Sequence, residues 1–342
     1  MNRIILPLLV AGGLALAQGQ EAPPSLTLET AFQIAPDASA DLIAARTEVA
    51  AAQRDLDRTL ADPLALRVPR LQAEQRLASA REALDAALIA LRITVARAYF
   101  AALEADEALE IARLEHAIAQ VSLEAQQVRF NAGAATQLDL DRAGNDLDAA
   151  VRTLAETGSD RELAYAELAS QLGTGTAVTS LGPLNEASPL PELGGVVAEA
   201  QTRNGRVRAA QRAVDLAQAQ LDAVDNAFSS RADIESARDR LADTQRDLNE
   251  TLRTLELDLT SSYNSAVAAQ ARLDSAQASS ATSAEDLAAS RIRFDSGNLS
   301  PISYEQARLG HARTIASEHS ALHAQILAAL QLEQAVIGSS GP

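Results

Sequence analysis

The residues whose spacing comes nearest to a metal site in this 342-residue chain are His319 and His323. Two histidines four positions apart lie on one face of a helix, which is how many zinc sites begin. A zinc site needs a third protein ligand, and Glu318 precedes the pair instead of following its first member as in the H-E-x-x-H pattern. His116 and His311 are isolated. The pattern therefore favours polar positions on a helix surface, or between helices, over a metal site.

Other types of chemistry are also without a recognisable pattern. The chain has no cysteine, and it contains neither a glycine-rich phosphate loop nor a G-x-S-x-G turn. Its many carboxylates form no pair with a definable acid and base role. A formal net charge of −17 opposes the phosphate contacts on which nucleic-acid binding depends. We predict a protein that is not an enzyme, needs no cofactor and binds no nucleic acid.

The first seventeen residues have the pattern of a secretory signal peptide. Arg3 precedes a thirteen-residue apolar run at 4–16, and Ala15-Leu16-Ala17 is an A-x-A cleavage signal. The run is shorter than the roughly 20 residues that a membrane-spanning helix needs. We expect an exported protein whose mature chain begins near Gln18.

The chain contains two copies of one unit, related by a constant offset of 164 residues without a gap. From Leu77 the matched apolar positions follow at steps of 7, 4, 3, 4 and 4, which keeps one stripe facing a partner helix as in a coiled coil. An ungapped register of this length indicates one continuous helix in each copy. The first-copy members of the matched pairs are Arg76, Leu77, Leu84, Leu88, Leu91, Val95, Tyr99, Leu123, Arg129, Phe130, Gly133 and Ala143.

The fold class predicted from this pattern is all-α, with two tandem repeats of long antiparallel coiled-coil helical hairpins. Each repeat, at 25–172 and 205–338, has a short helix, a link, a very long helix, a tight turn and a medium helix, and 173–204 connects them. Stacked end to end, the short and medium helices match the long helix in length. Because such hairpins leave wide apolar stripes, we expect a homo-oligomer. The predicted helices are 38–60, 71–129 and 137–172, then 205–226, 231–293 and 302–337.

A short motif recurs where each long helix ends. Arg129, Phe130 and Gly133 recur as Arg293, Phe294 and Gly297. Glycine at this place is typical of a left-handed helix C-cap, and Thr136 and Ser300 stand where the N-cap of the next helix belongs. Any α-helical hairpin could carry such a turn.

Taken together, the duplicated R-F-x-x-G turn, the segment from Arg97 to Tyr99, the opening L-T-L-E-T-A at 26–31 and the two-copy layout resemble the TolC-like outer-membrane efflux family. The resemblance implies a homotrimeric α-barrel, a twelve-helix tunnel through the periplasm, in association with the outer membrane. It also implies that the turns are tips that dock a periplasmic adaptor protein, which links the tunnel to an inner-membrane pump. The implied docking residues are Arg129, Phe130, Gly133, Arg293, Phe294 and Gly297.

Acidic residues just after the turn narrow the tunnel mouth in many members of that family. By this resemblance, Asp139, Asp141 and Glu305 are candidates for a constriction, although Ser303 stands where the second copy would match Asp139. An exposed helix face is the other explanation for these charges.

The sequence departs from the family between the short and long helices, where the family has membrane strands. Residues 61–70 and 225–231 are too short for a pair of spanning strands, which take about 9–11 residues each. We therefore expect a TolC-like α-barrel without a membrane β-barrel, whose direct insertion into a membrane is doubtful. The alternative function is a soluble periplasmic scaffold that has lost transport.

Overall fold

The computed structural model describes residues 25–64, 66–173, 178, 180–182, 184 and 189–338, so the predicted signal peptide at 1–17 lies outside the described residues. Within them the protein consists of helices, with a short 3-10 turn at Ala35–Asp37 and an isolated bridge between Leu26 and Leu181. The helices are α1 (Leu28–Ile34), α2 (Ala40–Ala61), α3 (Arg67–Asn131), α4 (Gln137–Leu172), α5 (Leu193–Arg203), α6 (Gly205–Val224), α7 (Arg231–Asp295) and α8 (Pro301–Ile337).

The two long helices, α3 and α7, have 65 residues each and are about 98 Å long at 1.5 Å per residue. In the first repeat α2 packs along the N-terminal half of α3, and α4 returns along its C-terminal half. In the second repeat α6 and α8 pack against α7 in the same way. The predicted fold class, two tandem repeats of long helical hairpins, is confirmed.

The short and medium helices of each repeat meet end to end beside the long helix. In the first repeat Gly173, after α4, packs directly on Ala38, just before α2. In the second repeat the Asn204 side chain caps α6 by accepting from the Arg206 amide at 3.0 Å, and its Nδ2 donates to the Ala335 carbonyl of α8 at 3.0 Å. This polar junction fixes where one helix stops and the next begins.

The start of α3 differs from the prediction. The sequence predicts a helix from residue 71, with Pro69 in the link, but α3 begins at Arg67. Pro69 is thus the third residue of the helix, where the backbone N–H has no partner within the helix in any case. The links are consequently short in both repeats, at 62–66 and 225–230.

The two repeats form one layer of helices with α3 near its middle. Besides α2 and α4 of its own repeat, α3 contacts α8 and α6 of the second repeat. Within the described part of the chain, α2 and α4 pack on no other long helix, and α7 packs only on helices that lie to one side of it. The layer therefore has two free edges, one formed by α2 with α4 and the other by α7.

The main core lies in the middle of the layer, where α3 meets α4, α8 and the connector. Small residues let the helices approach closely there, and Tyr99 is the largest fully buried side chain. Its hydroxyl shares one proton between the Leu26 carbonyl at 2.9 Å and the Gly182 carbonyl at 2.8 Å, so it holds the N-terminal segment and the connector against α3.

One helix of the described residues, α3, is long and apolar enough to cross a membrane by length and composition. Of its most apolar 18-residue window, 44% is buried inside the protein. A core helix passes the same test, so this feature is weak evidence for a span.

Candidate functional site at the two hairpin tips

The first tip is the turn between α3 and α4. The Gly133 amide donates to the Phe130 carbonyl at 2.9 Å, and the Ala134 amide donates to the Arg129 carbonyl at 2.8 Å. Gly133 has a φ of 73°, a left-handed conformation in which a side chain is strained. The turn thus satisfies the last carbonyls of α3 and reverses the chain within five residues.

The second tip has the same geometry. The Gly297 amide donates to the Phe294 carbonyl at 2.9 Å, the Asn298 amide donates to the Arg293 carbonyl at 2.7 Å, and the φ of Gly297 is 75°. Two turns with one hydrogen-bond pattern, 164 residues apart, show that the duplicated motif specifies one conformation.

Side-chain caps begin both returning helices. In the first repeat Thr136 and Asp139 form a capping box: the Asp139 amide donates to the Thr136 hydroxyl at 3.2 Å, and the Asp139 carboxylate accepts from the Thr136 amide at 2.9 Å. These hydrogen bonds from the Thr136 backbone and hydroxyl hold the pKa of Asp139 below its usual value. In the second repeat Ser300 caps α8, and Pro301 is its first residue.

The predicted docking residues present different groups at the tips. Arg129 and Arg293 are exposed, so two guanidinium groups are free to meet a partner from outside. Phe130 and Phe294 are half-buried, and Phe294 stacks on Tyr304 with ring centroids 4.8 Å apart. The phenylalanines therefore pack against the hairpin, while the arginine side chains are exposed to solvent.

Sequence reasoning missed an apolar component of this surface. Val128 and Ile292, which directly precede the two arginines, are 68% and 70% exposed, and Leu138 on α4 is 57% exposed. Val128 and Ile292 share the 164-residue offset, so the duplication could have identified them. Each tip thus combines an exposed aliphatic side chain with an exposed arginine.

The other acidic candidates have local partners. Asp141 accepts from the Gln137 side chain at 2.8 Å, within the first turns of α4. Glu305 on α8 forms an ion pair with Arg308 at 2.9 Å, and its side chain is 20% exposed. Asp139, Asp141 and Glu305 all lie close to a tip, but each is engaged within its own helix start.

The two histidines singled out by spacing lie between α8 and α3. His323 is buried and stacks on Phe100 with centroids 4.4 Å apart, and its Nδ1 lies 2.9 Å from Glu104. His319 contacts Glu107 one turn away. Among the described residues no three His, Cys, Asp or Glu side chains come together as a metal site would require. The two histidines make polar contacts between helices and so join the two repeats. A polar position between helices is one of the two that the sequence favours for them.

Comparisons with known proteins agree with this architecture. Residues 65–174, which include the whole of α3 and α4, match the family model described as outer membrane efflux protein. The TolC-like resemblance is confirmed. No curated protein sequence matches this chain.

Solved structures share this TolC-like fold along the whole molecule. A membrane protein from Pseudomonas aeruginosa is 17% identical, with a TM-score of 0.66 over 92% of this chain and 91% of that one. The outer membrane protein VceC from Vibrio cholerae is 16% identical, with a TM-score of 0.62 over 92% and 97%. The CmeC outer membrane channel from Campylobacter jejuni is 12% identical, with a TM-score of 0.61 over 99% and 96%. At these identities the likeness is one of fold.

Proposed function

We propose that this protein is a TolC-like export component that forms a periplasmic α-helical tunnel and docks an adaptor protein at its hairpin tips. The observation that carries the proposal is the duplicated tip, in which two identical turns present the same pair of exposed groups, an aliphatic side chain and an arginine. The match to an efflux family supports an export role. The family is a class of transport proteins, and the proposed function requires no catalysis.

The tips suit a helical partner. An exposed aliphatic side chain next to an arginine offers a small apolar contact and a charge-assisted hydrogen bond within one turn. Because the turns satisfy their own backbone groups, the partner has to supply only side chains. The partner that this surface fits is a periplasmic adaptor hairpin with apolar and acidic residues at its end, linked in turn to an inner-membrane pump.

The tunnel requires several copies of the chain, and we propose a homotrimer. The free edges of the layer carry exposed apolar side chains, Val151 and Leu163 on α4 and Val267 and Leu257 on α7. Contact between the α4 edge of one copy and the α7 edge of the next would cover these side chains. Light scattering on the full chain should then give about three times 35.9 kDa. A monodisperse monomer at micromolar concentration would contradict the tunnel.

The acids behind the tips have a place in this proposal. Asp139, Asp141 and Glu305 lie in the first turns of α4 and α8 at the same end of the molecule, so closing the layer brings one set from each copy to the tunnel mouth. A ring of carboxylates there would select against anions. This role depends on closure of the copies into a ring, and without a ring these acids form no constriction.

Export is tested by ethidium accumulation in cells that lack the gene and carry it back on a plasmid. Loss of the gene should raise accumulation, and the wild-type chain should restore it. Arg129→Ala with Arg293→Ala, or Val128→Ser with Ile292→Ser, should fail to restore it, whereas Arg253→Ala, on the exposed face of α7, should restore it fully. Accumulation that is unchanged on deletion, together with altered envelope spacing, would favour the periplasmic scaffold instead.

Docking is tested separately by placing a photocrosslinking amino acid at Val128 and, as a control, at Val151 on the edge. We expect crosslinks from Val128 to a protein of the adaptor class, identified by mass spectrometry, and crosslinks from Val151 to a second copy of this chain. Crosslinks from Val128 only to the chain itself would contradict adaptor docking while leaving the tunnel intact.

A further inference from the structure

The two short links between helices, at the end of the molecule opposite the tips, are built as the same turn. The Asp62 carboxylate accepts from the Leu64 amide at 2.9 Å, and the Asn226 side-chain oxygen accepts from the Phe228 amide at 2.9 Å. Both pairs are separated by the 164-residue offset of the repeats. Each link is therefore an Asx turn that places a large apolar residue two positions after its Asp or Asn.

These apolar residues point away from the protein. Phe228 is 100% exposed, Leu64 is 84% exposed, and Leu66, which follows in the first link, is 74% exposed. A single exposed apolar side chain is common on protein surfaces. Here both repeats have the same turn with an exposed apolar residue at the same position, which indicates a functional surface.

The two links lie side by side. Arg67, the first residue of α3, forms an ion pair with Asp222 near the end of α6 at 3.1 Å. Arg231 occupies the equivalent first position of α7, three residues after Phe228 as Arg67 is three residues after Leu64. The apolar side chains thus stand at the very end of the layer, with an arginine directly behind each turn.

We propose that Leu64, Leu66 and Phe228 insert into the interfacial region of a lipid bilayer and attach this end of the protein to a membrane surface. Each link exposes one or two large apolar side chains, whereas a stable protein interface takes roughly 20–30 residues from each partner. Exposed apolar side chains with arginines one turn behind them suit the boundary between acyl chains and headgroups, where guanidinium groups remain at the phosphate level. The attachment is peripheral and spans nothing.

The charges around the links indicate which force carries the attachment. The arginines are accompanied by Asp62, Asp222, Asp225 and Asp233, of which Asp62 and Asp233 hold turn or cap hydrogen bonds and Asp222 pairs with Arg67. Because these four aspartates outnumber the two arginines, the charges give no net attraction to anionic lipid. Apolar insertion dominates, and binding should persist at high salt.

The first experiment is flotation of the purified mature chain, which begins near Gln18, with vesicles of phosphatidylethanolamine and phosphatidylglycerol. The wild-type chain should float, also in 0.5 M salt, and Leu64→Ser with Leu66→Ser and Phe228→Ser should bind at least about tenfold more weakly, since each lost apolar side chain removes one insertion contact. Position 66 is the N-cap of α3, and the equivalent N-cap of α7 is Ser230. A serine at 66 is therefore compatible with the start of α3. Val128→Ser with Ile292→Ser, which are also largely exposed but lie at the opposite end, should float like the wild type.

A second measurement uses the absence of tryptophan from the chain. Phe228→Trp creates a single reporter whose emission should shift to the blue on adding vesicles and be quenched by brominated lipids. Ile292→Trp, at a tip, should show neither change. Equal flotation of the triple variant, or an unchanged Trp spectrum at 228, would overturn the proposal. Lipid-free association of the wild type that the triple variant abolishes would assign the links to a second copy instead. None of these three outcomes tests adaptor docking at the tips.

Discussion

The carboxylate of Glu82 on α3 accepts two hydrogen bonds of 2.6 Å from the guanidinium of Arg212 on α6. Glu82 is 5% exposed, and Arg208 adds a third contact at 3.1 Å. This ion pair joins the first repeat to the second and lies far from the two hairpin tips.

Glu82→Ala should destabilise the protein strongly, because it leaves Arg212, whose side chain is 15% exposed, without its partner. Breaking one side of a buried ion pair typically costs about 3–5 kcal/mol, whereas replacing both partners by Glu82→Leu with Arg212→Met should cost much less. The measurement is urea unfolding followed by circular dichroism. Glu250→Ala, from a largely exposed pair with Arg253, is the control and should change nothing measurable. A double variant no more stable than Glu82→Ala would contradict this account.

Tyr165 should ionise only at strongly alkaline pH. Burial, and then the hydrogen bond it donates to Asp106, raise the pKa of Tyr165 to about 12. Because the folded pKa lies above the unfolded value of 10, the stabilisation is fully present below pH 10 and is lost as the pH rises towards 12. Absorbance at 295 nm, free of tryptophan, should show a late phenolate step that Tyr165→Phe removes. Burial also raises the pKa of Tyr99, so the ionisation of Tyr99 should still come late in the Tyr165→Phe variant.

Tyr99→Phe should loosen the N-terminal segment without unfolding the helices. The change removes the one hydroxyl proton that the Leu26 and Gly182 carbonyls share, a loss worth about 1 kcal/mol. The Gly182 amide, which donates to the Leu26 carbonyl at 2.7 Å, should exchange its hydrogen faster in the variant. Tyr263→Phe, at the equivalent place in the second repeat, should leave the exchange of Gly182 unchanged. Equal effects of the two variants would mean that ring packing, and not the hydroxyl, holds the segment.

Gly133→Ala should destabilise the first hairpin by about 1–2 kcal/mol, because an alanine at a φ of 73° is strained although its β-carbon would meet no atom. Gly144→Ala, in the interior of α4 with equally open space, should instead stabilise by up to about 1 kcal/mol. The two substitutions are chemically identical and are expected to have opposite signs. Thermal unfolding by circular dichroism measures both, and a shift in the same direction would show that the turn conformation is not decisive.

The sequence predicts most of the helices because the periodic pattern is long and occurs twice. A register that holds without a gap from Arg76 to Ala143 and again 164 residues later leaves few alternatives to two long hairpins. The tip turns were predictable for a related reason, since a glycine and an N-cap residue stand at fixed positions in both copies. The start of α3 was missed because proline is compatible both with a link and with the first turn of a helix.

Side-chain partners between repeats could not be predicted. Periodicity shows which face of α3 is apolar, but not that α6 and α8 are the helices that cover it. Glu82, Glu104 and Glu107 therefore look like ordinary surface carboxylates in the sequence, although each contacts the second repeat. The exposure of the apolar residues in the links was not predicted either. A hydrophobic residue in a sequence suggests burial, and these residues are exposed.

The two edges of the helical layer are unlike surfaces, so contact between copies through them has a direction. Each added copy repeats the rotation of the one before and presents the same open edge again. Growth stops only if that rotation divides a full circle, and otherwise it continues as a filament. The contact between α3 and α8, which includes the hydrogen bond between His323 and Glu104, joins the two repeats and lies between the two edges. If the proposed ring forms, substitutions at this internal contact, remote from both edges, are expected to change the rotation between copies and to favour filaments over the closed ring.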